Sequence, residues 1–316
     1  MSIPLPYESN RHPKFSGCAT SRDHTIDRCQ HLSVGDFHET YLRHGRPVHI
    51  KRALEECSAL SRWDLDYLRK QSGRRLVALK KWRPSGITTV QRPLSDYLAS
   101  LECYEAQLRA GEATDQRPPY LHDVPLTSIL PDANSDLEAF PYAYFPAWYG
   151  SEWWKFAQLF LGPTHSFTPL HFDCLLTHNL FFQIRGIKKF ILISRDQLKF
   201  CYPHNWRWSK VDAEQPDYEK YPLYRRANPI EVIVEPGDAL YIPPGTFHYV
   251  RSLDCALSFN IDWHTKKSAL AGILGVARGM PWKNVYYNLL IAFGLWGGIP
   301  SQRILPYYGS YLNYVS

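Results

Sequence analysis

The sequence predicts a mainly β, α+β protein: a central double-stranded β-barrel with a mixed N-terminal region before it and helices after it. Three observations support this. Short apolar or alternating runs follow one another from about Trp153 to Trp263, separated by Gly, Pro and Asp clusters, as in sandwiches and barrels. Apolar residues at helical spacing are confined to the flanks. With 316 residues, 45% of them hydrophobic and 21% charged, the chain can bury one large core as an ordinary globular protein.

Taken in order, residues 1–32 read as an irregular arm. Residues 34–41 resemble a helix, with Ser33 as its N-cap. Residues 47–50 read as a short strand. A second helix is expected to start in 61–68 and to end near Gly73. A strand at 76–79 and a helix at 94–108 follow, and Pro118-Pro119 interrupts the chain before Tyr120. The span 33–150 is thus expected to pack on the barrel as a mixed region. Within the core, 151–264, the strand runs are 156–161, 180–184, 190–193, 231–234, 239–242 and 256–261. The last span, 265–316, is expected to form a helical hairpin (269–276 and 285–293) and a tail. The second of these helices is apolar on most faces, which predicts burial.

Composition excludes several classes. The formal charge of +6 is mild and its basic pairs are scattered, which favours a solvated surface over a nucleic-acid groove. Seven cysteines form no C-x-x-C unit and no disulfide framework, so a reducing compartment is expected. Residues 1–30 lack the apolar core of a secretory signal, and the longest apolar stretch, 289–299, is too short to span a bilayer. The expectation is a cytoplasmic protein that does not engage the membrane.

The chemistry-bearing feature is His171-Phe172-Asp173 with a distant His248. Side chains two apart on a strand share a face, so His171 and Asp173 point the same way. An imidazole from another strand completes two nitrogens and a carboxylate on one side of a metal. The opposite positions stay open, the arrangement non-haem Fe(II) oxygenases use. Residues 179–190 read as strand, Gly turn, strand. Pro236-Gly237-Asp238 reads as a turn into 239–242, and Pro243-Pro244-Gly245 redirects the chain so that His248 returns to the site. These donors alone do not fix the metal: a zinc or manganese cupin with no oxygenase activity would use the same set.

On these residues the chain resembles the JmjC/cupin-like hydroxylases, a group dependent on Fe(II) and 2-oxoglutarate. That group includes the asparaginyl hydroxylase that inhibits hypoxia-inducible factor and the tRNA wybutosine hydroxylase. The similarity runs from about Pro47 to Trp263. It includes residues 211–222, which are similar to V-D-x-x-x-P-D-x-x-x-[FY]-P, and the P-G-D-x-x-x-I-P block. The resemblance implies a double-stranded β-helix of the cupin or jelly-roll kind.

It also implies roles. His171, Asp173 and His248 match the iron ligands. Lys188 matches the lysine that binds the distal carboxylate of 2-oxoglutarate, and Thr168 and Tyr120 match hydroxyls sharing that carboxylate. A buried dicarboxylate needs such a cation and donors. Strand alternation lets only one of Lys188 and Lys189 face inward, and the motif register favours Lys188. Asn179 and Asn260 match amides near the metal and the cosubstrate's other end, and Trp263 an aromatic close to the site. Residues 174–178 make a longer insert than in the two hydroxylases named, which predicts a bulge beside the metal.

The implied reaction consumes O2 and 2-oxoglutarate, releases succinate and CO2, and hydroxylates an unactivated C–H. An amino-acid side chain of a protein or peptide is the first expectation. A small metabolite, a tRNA base or N-methyl demethylation are alternatives. The pocket made by Lys188, Thr168 and Tyr120 distinguishes all of these from a non-oxygenase cupin. Some members of the group pair through C-terminal helices, so a homodimer is expected.

Overall fold

The computed structural model describes residues 26–83, 86–112 and 116–312, and fifteen strands lie within them. In chain order they begin β1 (Asp27–Gln30), β2 (Val48–Lys51), β3 (Leu76–Arg83), β4 (Gly86–Pro93) and β5 (Tyr120–Pro125). Next come β6 (Ala157–Gly162), β7 (Phe167–His171), β8 (His178–Arg185), β9 (Lys188–Ile193), β10 (Pro203–His204) and β11 (Trp208–Ser209). The last are β12 (Ile230–Val234), β13 (Ala239–Ile242), β14 (Phe247–Ser252) and β15 (Ala256–Trp263). Nine strands form one sheet, ordered β1-β2-β13-β8-β15-β6-β5-β3-β4. Six form the other, ordered β10-β11-β7-β14-β9-β12. The two sheets stay separate, so the expected barrel is a jelly-roll sandwich.

Alternation on β8 shows how the sandwich is packed. Phe181 faces inward, where Phe190, Leu192, Val232, Val234, Leu240 and Ile242 join it. Leu180 and Phe182 face outward, into a larger core beneath the N-terminal region and the helices. There Phe182 stacks on Phe259 with ring centroids 4.7 Å apart, and Phe259 meets Trp63 at 5.8 Å. Because β15 is covered on both faces, all eight of its residues are buried. Removing a ring such as Phe182 by substitution with Ala is expected to cost about 3–5 kcal/mol.

Several local expectations are corrected. Residues 1–25 of the expected arm lie outside the described residues, but Asp27–Gln30 is a strand, paired in parallel with β2. The expected helix at 34–41 is one α-turn, Val34–Asp36, continuing as a π-helix, Phe37–Leu42, and Ser33 does cap it through the Asp36 amide at 3.0 Å. The helix expected from 61 divides into Ala59–Arg62 and Leu65–Ser72, because Asp64 takes extended backbone and caps the second piece through Tyr67 N. The strand at 76–79 is half of a β3–β4 hairpin. The tail is a helix, Ser301–Leu312. Finally, the apolar helix, Trp282–Gly297, buries Val285, Tyr287 and Ile291 but exposes Trp282, Tyr286, Leu289, Phe293 and Trp296.

The P-G-D turn is structural. The Asp238 carboxylate accepts from His49 Nε2 at 2.8 Å, from Lys51 Nζ at 2.7 Å and from the Arg52 amide at 3.1 Å. It ties β2 to the start of β13 and so sets the register of the strand that leads to His248.

Candidate metal centre

His171 ends β7 and lies directly across from His248 on β14, with ring centroids 4.2 Å apart. A register shift between His248 and Val250 marks a bulge, a device that re-aims a side chain. Asp173 follows two residues after His171, and its Oδ1 is 3.6 Å from His248 Nε2. One ligand atom from each of the three residues lies within 4.8 Å of the others.

Both imidazoles are oriented in the same way. His171 Nδ1 is 2.7 Å from the Pro169 carbonyl, and His248 Nδ1 is 3.1 Å from the Thr246 carbonyl. A carbonyl only accepts, so each Nδ1 carries the proton and each Nε2 is left as a donor atom for a metal. Burial, then the neighbouring His248 and Arg207, hold His171 well below the ordinary imidazole range, in the neutral form that ligates metal. The Asn179 amide donates to Asp173 Oδ2 at 3.2 Å and fixes that carboxylate. A divalent ion fits this donor set.

At the other end of the same cavity, Lys188 is 1% exposed. Its ammonium donates to Tyr120 OH at 2.8 Å and to Ser258 Oγ at 2.7 Å, and lies 5.1 Å from the Phe181 ring centroid. It makes no ion pair among the described residues, and burial pulls its pKa down to about 7. Lys189 points the opposite way and pairs with Glu214, inside the 211–222 segment. Thr168 Oγ1 is 3.0 Å from Nε2 of His122, whose burial keeps it well below the ordinary imidazole range.

The structure therefore gathers His171, Asp173, His248, Lys188, Thr168, Tyr120, Asn179 and Asn260 around one cavity. Trp263 is not among them. On β15, Ser258 and Asn260 face inward, so Trp263 turns outward, stacked on His178 at 5.4 Å and edge-on to Phe145 at 5.2 Å. His178 is likewise outside the cavity, held by Tyr241 OH at 2.8 Å and Thr265 Oγ1 at 3.3 Å. Sequence reasoning missed Ser258, Asp262, His122, Asp123, Arg207 and Tyr311. Stepping by two from Asn260 and from Tyr120 finds Ser258, Asp262 and His122. Asp123 sits at an irregularity of β5 with φ +67°, Arg207 on a turn and Tyr311 on the final helix, and none of them carries such a signal.

Comparison with known proteins agrees with this geometry. Residues 34–269 match the family described as Cupin-like domain. The chain is 29% identical over 241 residues to JmjC domain-containing protein D of Dictyostelium discoideum, covering 72% of this chain and 53% of that one. It is 26% identical over 247 residues to Lysine-specific demethylase 8 of Xenopus tropicalis, covering 73% and 51%. To the chicken 2-oxoglutarate and iron-dependent oxygenase JMJD4 it is 25% identical over 278 residues, covering 81% and 63%. The chain thus spans about half to three-fifths of the length of these relatives. With most of its length matched and the fold and donor set in place, the chain belongs to the Cupin-like domain family, with JmjC proteins among its relatives.

Proposed function

We propose that the protein is an Fe(II)- and 2-oxoglutarate-dependent dioxygenase that hydroxylates an unactivated C–H on an amino-acid side chain of a protein or peptide, releasing succinate and CO2. One observation carries this reading: a two-histidine, one-carboxylate donor set shares a cavity with a buried lysine that has no anionic partner among the described residues. The donors alone suit several ions, but the lysine with its hydroxyl neighbours demands a small dicarboxylate as well.

Ferrous iron held by His171, Asp173 and His248 would supply the O2 and redox chemistry. The chain supplies position. Lys188, Tyr120 and Thr168 bind the far carboxylate of 2-oxoglutarate, and Ser258 keeps the ammonium aimed at it. Asn179 holds the Asp173 carboxylate in place. Phe160, Phe181 and Phe190 line the cavity and restrict water. Asp123, Arg207, Asn260 and Asp262 face the remaining space, and Asn260 Oδ1 is a buried acceptor with no partner among the described residues. These groups suit a polar side chain entering from outside.

The test is conversion of 2-oxoglutarate to succinate with Fe(II), measured by mass spectrometry for wild type and for Asp173→Ala. Equal succinate from both would end the proposal. Hydroxylation and N-demethylation separate by product, since only the latter releases formaldehyde. A cupin of another class would show no binding of N-oxalylglycine in the presence of Mn(II).

The same proposal includes a homodimer and a cytoplasmic setting. The exposed residues of helix Trp282–Gly297 are spaced four, three, four and three apart, the seam of a helix pair. A second copy of the same helix is the occupant such a repeat fits. The six described cysteines are all free, which suits a reducing compartment. No helix among the described residues is long and apolar enough to cross a membrane.

A further inference from the structure

A second groove, of about 690 Å³, lies outside the sandwich among the helical turns after Ser33, the 243–246 loop and the helix Lys266–Leu274. Its lining carries Arg43, His44, Arg195 and Lys267 against one carboxylate, Glu39. Glu39 is already paired to Arg43 at 2.8 Å. Arg195 and Lys267 make no ion pair or hydrogen bond among the described residues.

The setting of Arg195 is unusual for a free surface arginine. Its side chain lies across Gly245, whose φ is +78°, and a Cβ built on that glycine would come within 2.9 Å of the arginine Cδ. The side chain is exposed overall; partial burial of the guanidinium, and then a second cation, Arg278, close to it, lower its pKa. Exposed cations gathered in one groove with a single, already paired carboxylate make a positive surface that attracts an anion.

We propose that this groove docks an acidic peptide segment whose carboxylates pair with Arg195 and Lys267. The rest of the lining favours peptide over nucleic acid. Leu42, Pro243, Pro244 and Ala271 offer aliphatic surface, and among the described residues no Phe, Tyr or Trp lines the groove for a base to stack on. The groove is distinct from the metal cavity, and its occupancy does not depend on the oxygenase reading.

The 243–246 loop nevertheless joins the two. Pro243, Pro244 and Thr246 line the groove, while the Thr246 carbonyl orients His248. A docked segment therefore rests on the loop that aims one candidate metal ligand.

The experiment is fluorescence anisotropy on the full chain at low ionic strength, with a labelled oligoglutamate, an oligolysine and an RNA oligonucleotide of matched length. Oligoglutamate is expected to bind, and to weaken as salt is added. The charge-reversed double variant Arg195→Glu/Lys267→Glu is expected to lower that affinity about tenfold or more, with Arg195→Ala between it and wild type. Thermal unfolding of each variant checks that the fold is kept. Oligolysine binding as well as oligoglutamate, a double variant that binds like wild type, or RNA binding more tightly through the same two residues would each overturn the proposal.

Discussion

The six-stranded and nine-stranded sheets contribute to the cavity in different ways. The six-stranded sheet and the residues just after β7 present the reactive donors: His171, Asp173, His248 and Lys188. Each imidazole there is aimed by a carbonyl two residues earlier on its own chain segment. The nine-stranded sheet presents groups that act on those donors from across the cavity. Tyr120 and Ser258 hold Lys188 over sequence separations of 68 and 70 residues, and Asn179 holds Asp173. Local backbone organises the candidate metal end, whereas long-range side-chain contacts organise the end proposed to take a dicarboxylate.

If that contrast is right, removing a donor costs far more than removing a group that positions one. His171→Ala or Asp173→Ala is expected to lower Fe(II)-dependent succinate formation by at least about 100-fold, beyond the effect of losing an outer contact. Circular dichroism should show the fold intact. Lys188→Met is next. Truncating one side of a buried charge pair costs about 2–5 kcal/mol, so the Kd for 2-oxoglutarate should rise about 30-fold or more while Mn(II) binding is retained.

The same variant sharpens the comparison through pH. Burial lowers Lys188 from its ordinary 10.5 to about 7, so between those values the unfolded chain holds a proton that the folded one has lost. Stability of the metal-free protein should therefore rise with pH across that window. Below it, the buried ammonium is a burden on the fold. Lys188→Met should melt at a higher temperature than wild type near pH 6, with the gap closing as pH rises; parallel melting curves would refute this.

Ser258→Ala, on the opposite sheet, is expected to cost about 0.5–1.5 kcal/mol, seen as a several-fold rise in the Kd for 2-oxoglutarate with kcat unchanged. A loss as large as that of Lys188→Met would break the contrast between donors and positioning groups. The smallest effect on turnover is expected from Trp282→Lys/Phe293→Lys. It should shift light scattering from dimer to monomer while changing stability by no more than about 0.5 kcal/mol.

The same division explains what was legible in the sequence. His171 and Asp173 stand two apart on one strand end, and their orienting carbonyls are equally local, so the pattern could be read directly. Lys188 was narrowed to one of two neighbours by alternation and motif register, and the outward pairing of Lys189 with Glu214 accounts for its direction. Ser258 and His122 lay hidden because their role arises only when distant strands meet. The split at Asp64 was missed because the apolar spacing around it still reads as one helix, and an extended cap outweighed that pattern. Burial of helix Trp282–Gly297 was overstated because its apolar surface divides into a packed face and a bare one.

Tyr311 sets a practical limit on how this protein can be handled. It sits on the helix Ser301–Leu312, well past the matched span 34–269, yet it lines the cavity and its hydroxyl lies 3.9 Å from Cys174 Sγ. Trimming that helix, or fusing an affinity tag hard against it, would disturb a wall of the candidate site itself. An assay on a version shortened there would measure a different enclosure.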